Sequence, residues 1–294
     1  MHKLKINNLN KTYSNGVKAL DDVSIEIENG MFGLLGPNGA GKSSLMRTLA
    51  TLQEADSGTA LLDDIDIFNQ PEELRKTLGY LAQEFGVYPK ITAEQLLDHL
   101  SILKGITNSK ERKELVKYLL DKVNLYDKRN KSVKGFSGGM KQRVGIAQAL
   151  IGNPKLIIVD EPTAGLDPGE RNRFYNLLAE VGKDVIVILS THIVDDVREL
   201  CTNMAIMNIG KIVFQGKPQD AIDELHGKVY HRIVPREELE TYATNYSIIS
   251  NKMVGGQPLI HIYSETNPNA GFELVKPNLE DVFFSKINTS NVLV

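Results

Sequence analysis

Residues Gly36-Pro37-Asn38-Gly39-Ala40-Gly41-Lys42-Ser43 follow the pattern G-x-x-x-x-G-K-[ST], with a second hydroxyl at Ser44. Glycines in such a run let successive backbone N–H groups point into one concavity, and the helix that follows adds its positive N-terminal end. Lys42 supplies a mobile cation for the outer phosphates of a nucleotide, and Ser43 offers a hydroxyl to Mg²⁺. A second acidic element lies far downstream, where Leu156-Ile157-Ile158-Val159 runs into Asp160-Glu161. Two carboxylates at a strand terminus point in different directions. Asp160 is placed to hold a hydrated Mg²⁺ and Glu161 to polarise an attacking water.

The elements that must position these groups are legible from periodicity. Met31-Phe32-Gly33-Leu34-Leu35 is a continuous apolar run ending at the glycine loop, and Ser43 to Leu49 is compatible with a helix. Leu156–Val159 and Val185–Leu189 read as strands buried on both faces, joined by a polar helical stretch as in a parallel βαβ crossover. Upstream, Leu4–Ile6 and Val23–Ile27 alternate apolar with polar, which predicts a half-buried antiparallel layer. From Thr92 to about Asn124 the pattern is helical: Thr92 and Gln95 have capping-box spacing, and Leu115, Tyr118, Leu119 and Val123 are expected to share one helical face. Ile206–Gln215 reads as a hairpin, and Gly216-Lys217-Pro218 as a break before a helix near Gln219. Beyond it, Tyr246–Val254, Leu259–Tyr263 and a helix over 278–286 predict a small appendage. In that helix Leu279, Val282 and Phe283 are expected to face the domain, and Glu280 and Asp281 to face water.

Ser137-Gly138-Gly139, within Phe136-Ser137-Gly138-Gly139-Met140-Lys141-Gln142-Arg143, opens a helix with Val144, Ala147, Leu150 and Ile151 on one face. It is a second anion-receptive helix terminus in the same chain. Alone, Ser-Gly-Gly is an ordinary glycine turn; set between the phosphate loop and Asp160-Glu161, it resembles the signature of the ABC-type ATPases, over residues 3 to about 215. The departures are Phe136, where leucine is usual, and Met140, where glutamine is usual, so hydrolysis rate is the property they bear on. The resemblance implies an α/β P-loop NTPase core, a mixed and mainly parallel sheet flanked by helices. It carries an N-terminal antiparallel β subdomain, a helical insertion at about 90–150, and an accessory α+β unit at 216–294 after an ATP-binding domain at 1–215.

By the same resemblance, Tyr13 stacks on adenine, Gln83 reaches Mg²⁺ and the water, Ala164-Gly165-Leu166-Asp167 follows the acidic pair, and His192 senses the γ-phosphate. ATP and Mg²⁺ are the implied ligands, held by Tyr13, Gly36–Ser44, Gln83, Ser137–Gly139 and Asp160, with Ser43, Gln83 and Asp160 at the metal. Glu161, His192, Lys42 and Gln83 are the implied catalytic set. The implied assembly is a head-to-tail homodimer beneath a separate integral-membrane permease, received near Glu84–Pro89 and Ile91–Leu103, with Phe85, Val87 and Tyr88 as apolar contacts. The ending Pro277-Asn278-Leu279-Glu280-Asp281-Val282-Phe283-Phe284 looks like the closing motif of ATPase subunits from exporters of the ABC-2 kind, which favours export.

Composition is compatible with this. A net charge of −3 offers no basic excess for nucleic acid, and the single cysteine, Cys201, cannot form an intrachain disulfide. No run approaches the ~18 apolar residues of a spanning helix, so membrane contact is expected only through a partner, from the cytoplasmic face. A soluble ABC-type ATPase acting on ribosomes or DNA ends is the alternative. Such relatives carry two nucleotide domains or a long coiled coil, and this chain has one phosphate loop and no heptad array. A small-molecule kinase would share the phosphate loop but have no use for Ser137-Gly138-Gly139.

Overall fold

The computed structural model describes residues 1–82, 86, 89–163 and 166–291. Its first half contains β1 (Lys3–Thr12), β2 (Lys18–Glu28), β3 (Gly30–Leu35), α1 (Lys42–Leu49), β4 (Ser57–Leu62), β5 (Ile65–Asp66), α2 (Pro71–Thr77), β6 (Leu78–Leu81), α3 (Ala93–Leu103) and α4 (Ser109–Lys122). Then come α5 (Gly138–Ala149), β7 (Leu156–Asp160), α6 (Pro168–Val181), β8 (Ile186–Thr191), α7 (Val194–Leu200), β9 (Asn203–Asn208) and β10 (Lys211–Gly216). The remainder holds α8 (Pro218–Glu224), β11 (Val229–Ile233), α9 (Leu239–Asn245), β12 (Ser247–Val254), β13 (Gln257–Tyr263), β14 (Glu273–Leu274) and α10 (Leu279–Asn291).

The central sheet has the order β10-β9-β3-β8-β7-β6, parallel except for the β9–β10 hairpin. The strands β3, β7 and β8 are apolar on both faces because both faces are covered. Phe32, Leu34, Leu156, Ile158, Ile186 and Ile188 pack toward α1 and the antiparallel sheet β2-β1-β4-β5. Met31, Leu35, Ile157, Val159, Val187 and Leu189 pack toward the helical side. The period of two thus divides each strand between two cores. A third sheet, β12-β13-β11-β14, is antiparallel, and α8 and α10 join it to the helical-side core through Ala221, Leu225, Leu279, Val282 and Phe283. Among the described residues no helix is long and apolar enough to cross a membrane.

Register is what aligns the functional ends. Leu35 of β3 lies opposite Thr191 of β8, and Asp160 of β7 lies opposite Ser190 of β8. The loops after β3, β7 and β8 therefore leave one edge of the sheet at the same level, the edge at which open α/β sheets bind ligands.

Two side-chain expectations are corrected. Tyr118 points outward, with Lys122 over its ring, while Val116, Leu119, Leu120 and Val123 are buried. The inward stripe of α4 is therefore rotated, because α4 must face α3 and α5 at once. Asp281 does not face water: it is buried, and its Oδ1 lies 2.7 Å from His261 Nδ1. Its Oδ2 accepts from the Asn278 backbone N–H at the start of α10, so a polar side chain on the inner face is satisfied by a partner and a cap. The capping box at Thr92 and Gln95 forms, with both reciprocal hydrogen bonds present.

Candidate active site

The glycine loop is shaped by what stands behind it. Gly41 has φ +106°, and a Cβ there would lie 2.2 Å from the Ala19 carbonyl oxygen, so both conformation and space require glycine. Gly41 is also the N-cap of α1, and no side chain caps that end, so the first N–H groups of the helix face the loop. Lys42 is buried, and its Nζ donates to the carbonyls of Gly36 (2.7 Å) and Pro37 (3.1 Å). Burial lowers the lysine pKa from its ordinary value; Glu161, whose Oε1 lies 3.6 Å away, opposes that shift. An open cavity of about 460 Å³ lies over the loop, lined by Tyr13, Val17, Ala19, Asn38–Ser44 and Glu161. Its size suits a nucleotide.

The end of β7 supplies the carboxylates. Asp160 is buried, and desolvation raises its pKa, countered by the hydroxyls of Ser190 and Ser43. Its Oδ1 has no hydrogen-bond partner among the described residues. A buried carboxylate oxygen without a donor is costly unless a cation completes it, and Ser43 stands beside it with the hydroxyl such an ion takes. Glu161 adopts φ +47°, uncommon for a residue with a Cβ, and its N–H donates to the Ser190 carbonyl (2.9 Å). That backbone kink turns the glutamate away from Asp160, toward Lys42 and toward His192, whose Nδ1 is 3.3 Å from Glu161 Oε1. The arrangement provides an N–H cradle, a buried cation, a buried carboxylate with an oxygen open to a cation and a second carboxylate 3.3 Å from an imidazole.

Residues 20–164 match the family model described as ABC transporter. Over 203 residues the chain is 38% identical to the ABC transporter ATP-binding protein NatA of Bacillus subtilis (strain 168), covering 68% of this chain and 82% of that one. It is 32% identical to the uncharacterized ABC transporter ATP-binding protein YxlF of the same organism, over 97% of this chain and 99% of that one. The chain belongs to the ABC transporter ATP-binding proteins. It is an ATP-binding subunit and an ATPase. The fold agrees with the dimeric post-hydrolysis state of the ATP-binding cassette MJ0796 bound to ADP and Pi, at TM-score 0.64 and 29% identity, covering 73% of this chain and 98% of that one.

In this ABC ATPase the expected residues are only partly gathered by one chain. Tyr13, Lys42, Ser43, Ser44 and Glu161 meet at the cavity, with Asp160 and His192 adjoining. The Tyr13 hydroxyl hydrogen-bonds with Ser44 Oγ (2.9 Å) and donates to Gln53 Oε1 (3.1 Å), which ties the turn after β1 to the base of the loop. Ser137, Gly138 and Gly139 do not line the cavity. They form the start of α5, where Ser137 Oγ accepts from the Met140 N–H (3.3 Å) and Phe136 is buried in the helical-side core. Asp167 is the N-cap of α6 and accepts from the Glu170 N–H. Gln83, Ala164, Gly165 and the contacts expected at Phe85, Val87 and Tyr88 lie outside the described residues. Sequence reasoning missed Glu170, which packs against Gly139, and Asp196, which accepts from the hydroxyls flanking the site. The only signal for Asp196 was its place four residues after His192.

Proposed function

We propose that two copies of this ATPase close head to tail around ATP, and that the closure drives a separate integral-membrane permease. One observation carries this reading. The chain presents one anion-receptive helix start at Gly41–Lys42 and another at Ser137–Gly139, and the second does not border the cavity built by the first. A second copy related by twofold symmetry brings its Ser137-Gly138-Gly139 over the nucleotide and generates two equivalent composite sites.

In each site Gly36–Ser44 cradles the phosphates, Tyr13 borders the base, and Lys42 swings from the loop carbonyls onto the β- and γ-phosphates. Ser43, Asp160 and Gln83 would hold Mg²⁺, which when bound neutralises charge on the phosphate oxygens. Glu161 polarises the attacking water, with its orientation set by the backbone kink and the contact to His192. His192, whose side chain is 43% exposed, is free to turn toward the γ-phosphate. The partner's helix start spreads the charge that develops on the transferred phosphoryl group. Because ATP bridges two surfaces, its binding and loss shift the open and closed populations.

In this reading residues 1–215 form the motor domain and 216–294 an accessory unit seated on it through α8 and α10. The chain works at the cytoplasmic face of the membrane, bound there through the permease, and the closing Pro277–Phe284 segment favours export as a member of the ABC-2 group. The test is the dependence of ATP turnover on chain concentration. A rate rising with the square of concentration supports the composite site; strictly linear turnover by a chain that stays monomeric overturns it.

A further inference from the structure

Asp196, on α7, is fully buried. Its Oδ2 accepts from Thr163 Oγ1 (2.8 Å) and from Thr191 Oγ1 (2.7 Å), and its Oδ1 accepts from the Tyr175 hydroxyl. Thr163 stands two residues after Glu161, and Thr191 immediately precedes His192. Tyr175 reaches in from α6. One carboxylate oxygen therefore joins the two loops whose functional side chains meet at 3.3 Å. Thr191 Oγ1 also accepts from the Ile193 N–H (2.9 Å), so the turn that carries His192 is held on both sides.

The chemistry of this cluster is unusual for a site that only fills space. A buried carboxylate satisfied by three hydroxyls is dearer than apolar residues of the same volume, and such networks chiefly specify geometry. There is a local reason for specification. Glu161 is held at positive φ, a conformation that relaxes unless the surrounding structure over-determines it. The bond from Glu161 N–H to Ser190 fixes one side of that kink, and the Thr163–Asp196 bond fixes the chain just beyond it.

We propose that Asp196 is a positioning residue for ATP hydrolysis, holding Thr163 and Thr191 on one oxygen so that Glu161 and His192 keep their mutual geometry. This rests on the reading of Glu161 as the water-polarising group. A displacement of about 1 Å at such a group costs on the order of 100-fold in rate, so loosening the tie acts on kcat, while ATP held by the phosphate loop keeps its affinity.

The test uses the full-length chain with Mg²⁺ and ATP. Thr163→Val removes one hydroxyl at nearly constant volume, Thr191→Val cuts the same oxygen from the other loop, and Thr163→Ser restores the donor. The two valine variants lose at least tenfold in kcat with KM for ATP within twofold of the parent, and Thr163→Ser recovers most of the rate. Phe174→Leu, a core change on α6 that removes none of these hydrogen-bonding groups, keeps kcat near the parent value at comparable loss of stability. In a Glu161→Gln background Thr163→Val produces no further loss of the residual single-turnover rate. Parent-like kcat in both valine variants, or losses that multiply with Glu161→Gln, overturns the proposal. Parent-like turnover by Glu161→Gln alone removes the underlying reading and this proposal with it, whereas an inactive Glu161→Gln beside a fully active Thr163→Val removes only the role of Asp196.

Discussion

Gly138→Ala separates what the fold requires at the start of α5 from what the composite site requires. Gly138 is exposed and helical, and a Cβ there would meet only Leu166 Cδ2, at the ordinary contact distance of 3.8 Å. Among the described residues of one chain nothing opposes the methyl group. Alanine also gives up less backbone entropy than glycine on folding, so the substitution stabilises the isolated chain by about 0.5–1 kcal/mol. For a chain of this size that is roughly 1–3 °C in Tm. If the phosphates of ATP on a second copy sit against this helix end, the same methyl stands between them and the N–H groups of α5. Loss of a backbone donor at a developing charge costs on the order of 100-fold in turnover. The expected outcome is a more stable and nearly inactive chain, measured by differential scanning calorimetry and a coupled ATPase assay. Gly139→Ala is the contrasting control: its Cβ would lie 2.3 Å from Glu170 Oε2, and Glu170 is held by Arg173 (2.7 Å), so this variant costs about 1–2 kcal/mol of stability in the single chain. Undiminished hydrolysis by Gly138→Ala would refute the placement of this helix end at the nucleotide.

Gly41→Ala combines a positive φ with a 2.2 Å approach to the Ala19 carbonyl and is expected to destabilise the chain by about 3 kcal/mol, seen as a lower urea midpoint at unchanged slope; a parent-like midpoint contradicts the loop geometry. Asp160→Asn is expected to stabilise the nucleotide-free chain near pH 7.5 while abolishing hydrolysis. Burial raises the Asp160 pKa above its ordinary 3.8, so between those two values the native state binds more protons and stability falls as pH rises. The Tm advantage of Asp160→Asn therefore shrinks as pH is lowered through that window, and an advantage that grows on acidification contradicts the assignment of desolvation as the dominant cause.

The central strands and their loops were legible because each carries a pattern of one scale. A fully apolar run means burial on two faces, and both Leu156–Val159 and Met31–Leu35 are interior strands of the central sheet. The phosphate loop was legible because glycine spacing reports backbone requirements directly. What escaped was tertiary. β4 and the edge strand β5 are short and mixed in character: β4 is a strand because β1 offers it an edge, and β5 because β4 does. Tyr118 was misplaced because a helix contacted on two sides rotates its stripe to suit both neighbours. Asp281 looked solvated because periodicity counts it as a polar residue, whereas His261, twenty residues earlier, supplies the partner that makes its burial tolerable. The Asp196 network was illegible for the same reason: its three donors come from α6, from the turn after β7 and from the last residue of β8, and no local spacing announces them.

The central claim is that one nucleotide is held by two copies of this chain, and the sharpest measurement is the mass of Glu161→Gln in saturating ATP and Mg²⁺ by multi-angle light scattering. Glutamine keeps the shape of the side chain, and on the proposed role of Glu161 it no longer polarises water, so that bound ATP is expected to persist. The account predicts a stable species of twice the chain mass that contains two ATP and reverts to monomer when the nucleotide is removed. A monomer that carries ATP at every attainable concentration, with or without the permease, contradicts it.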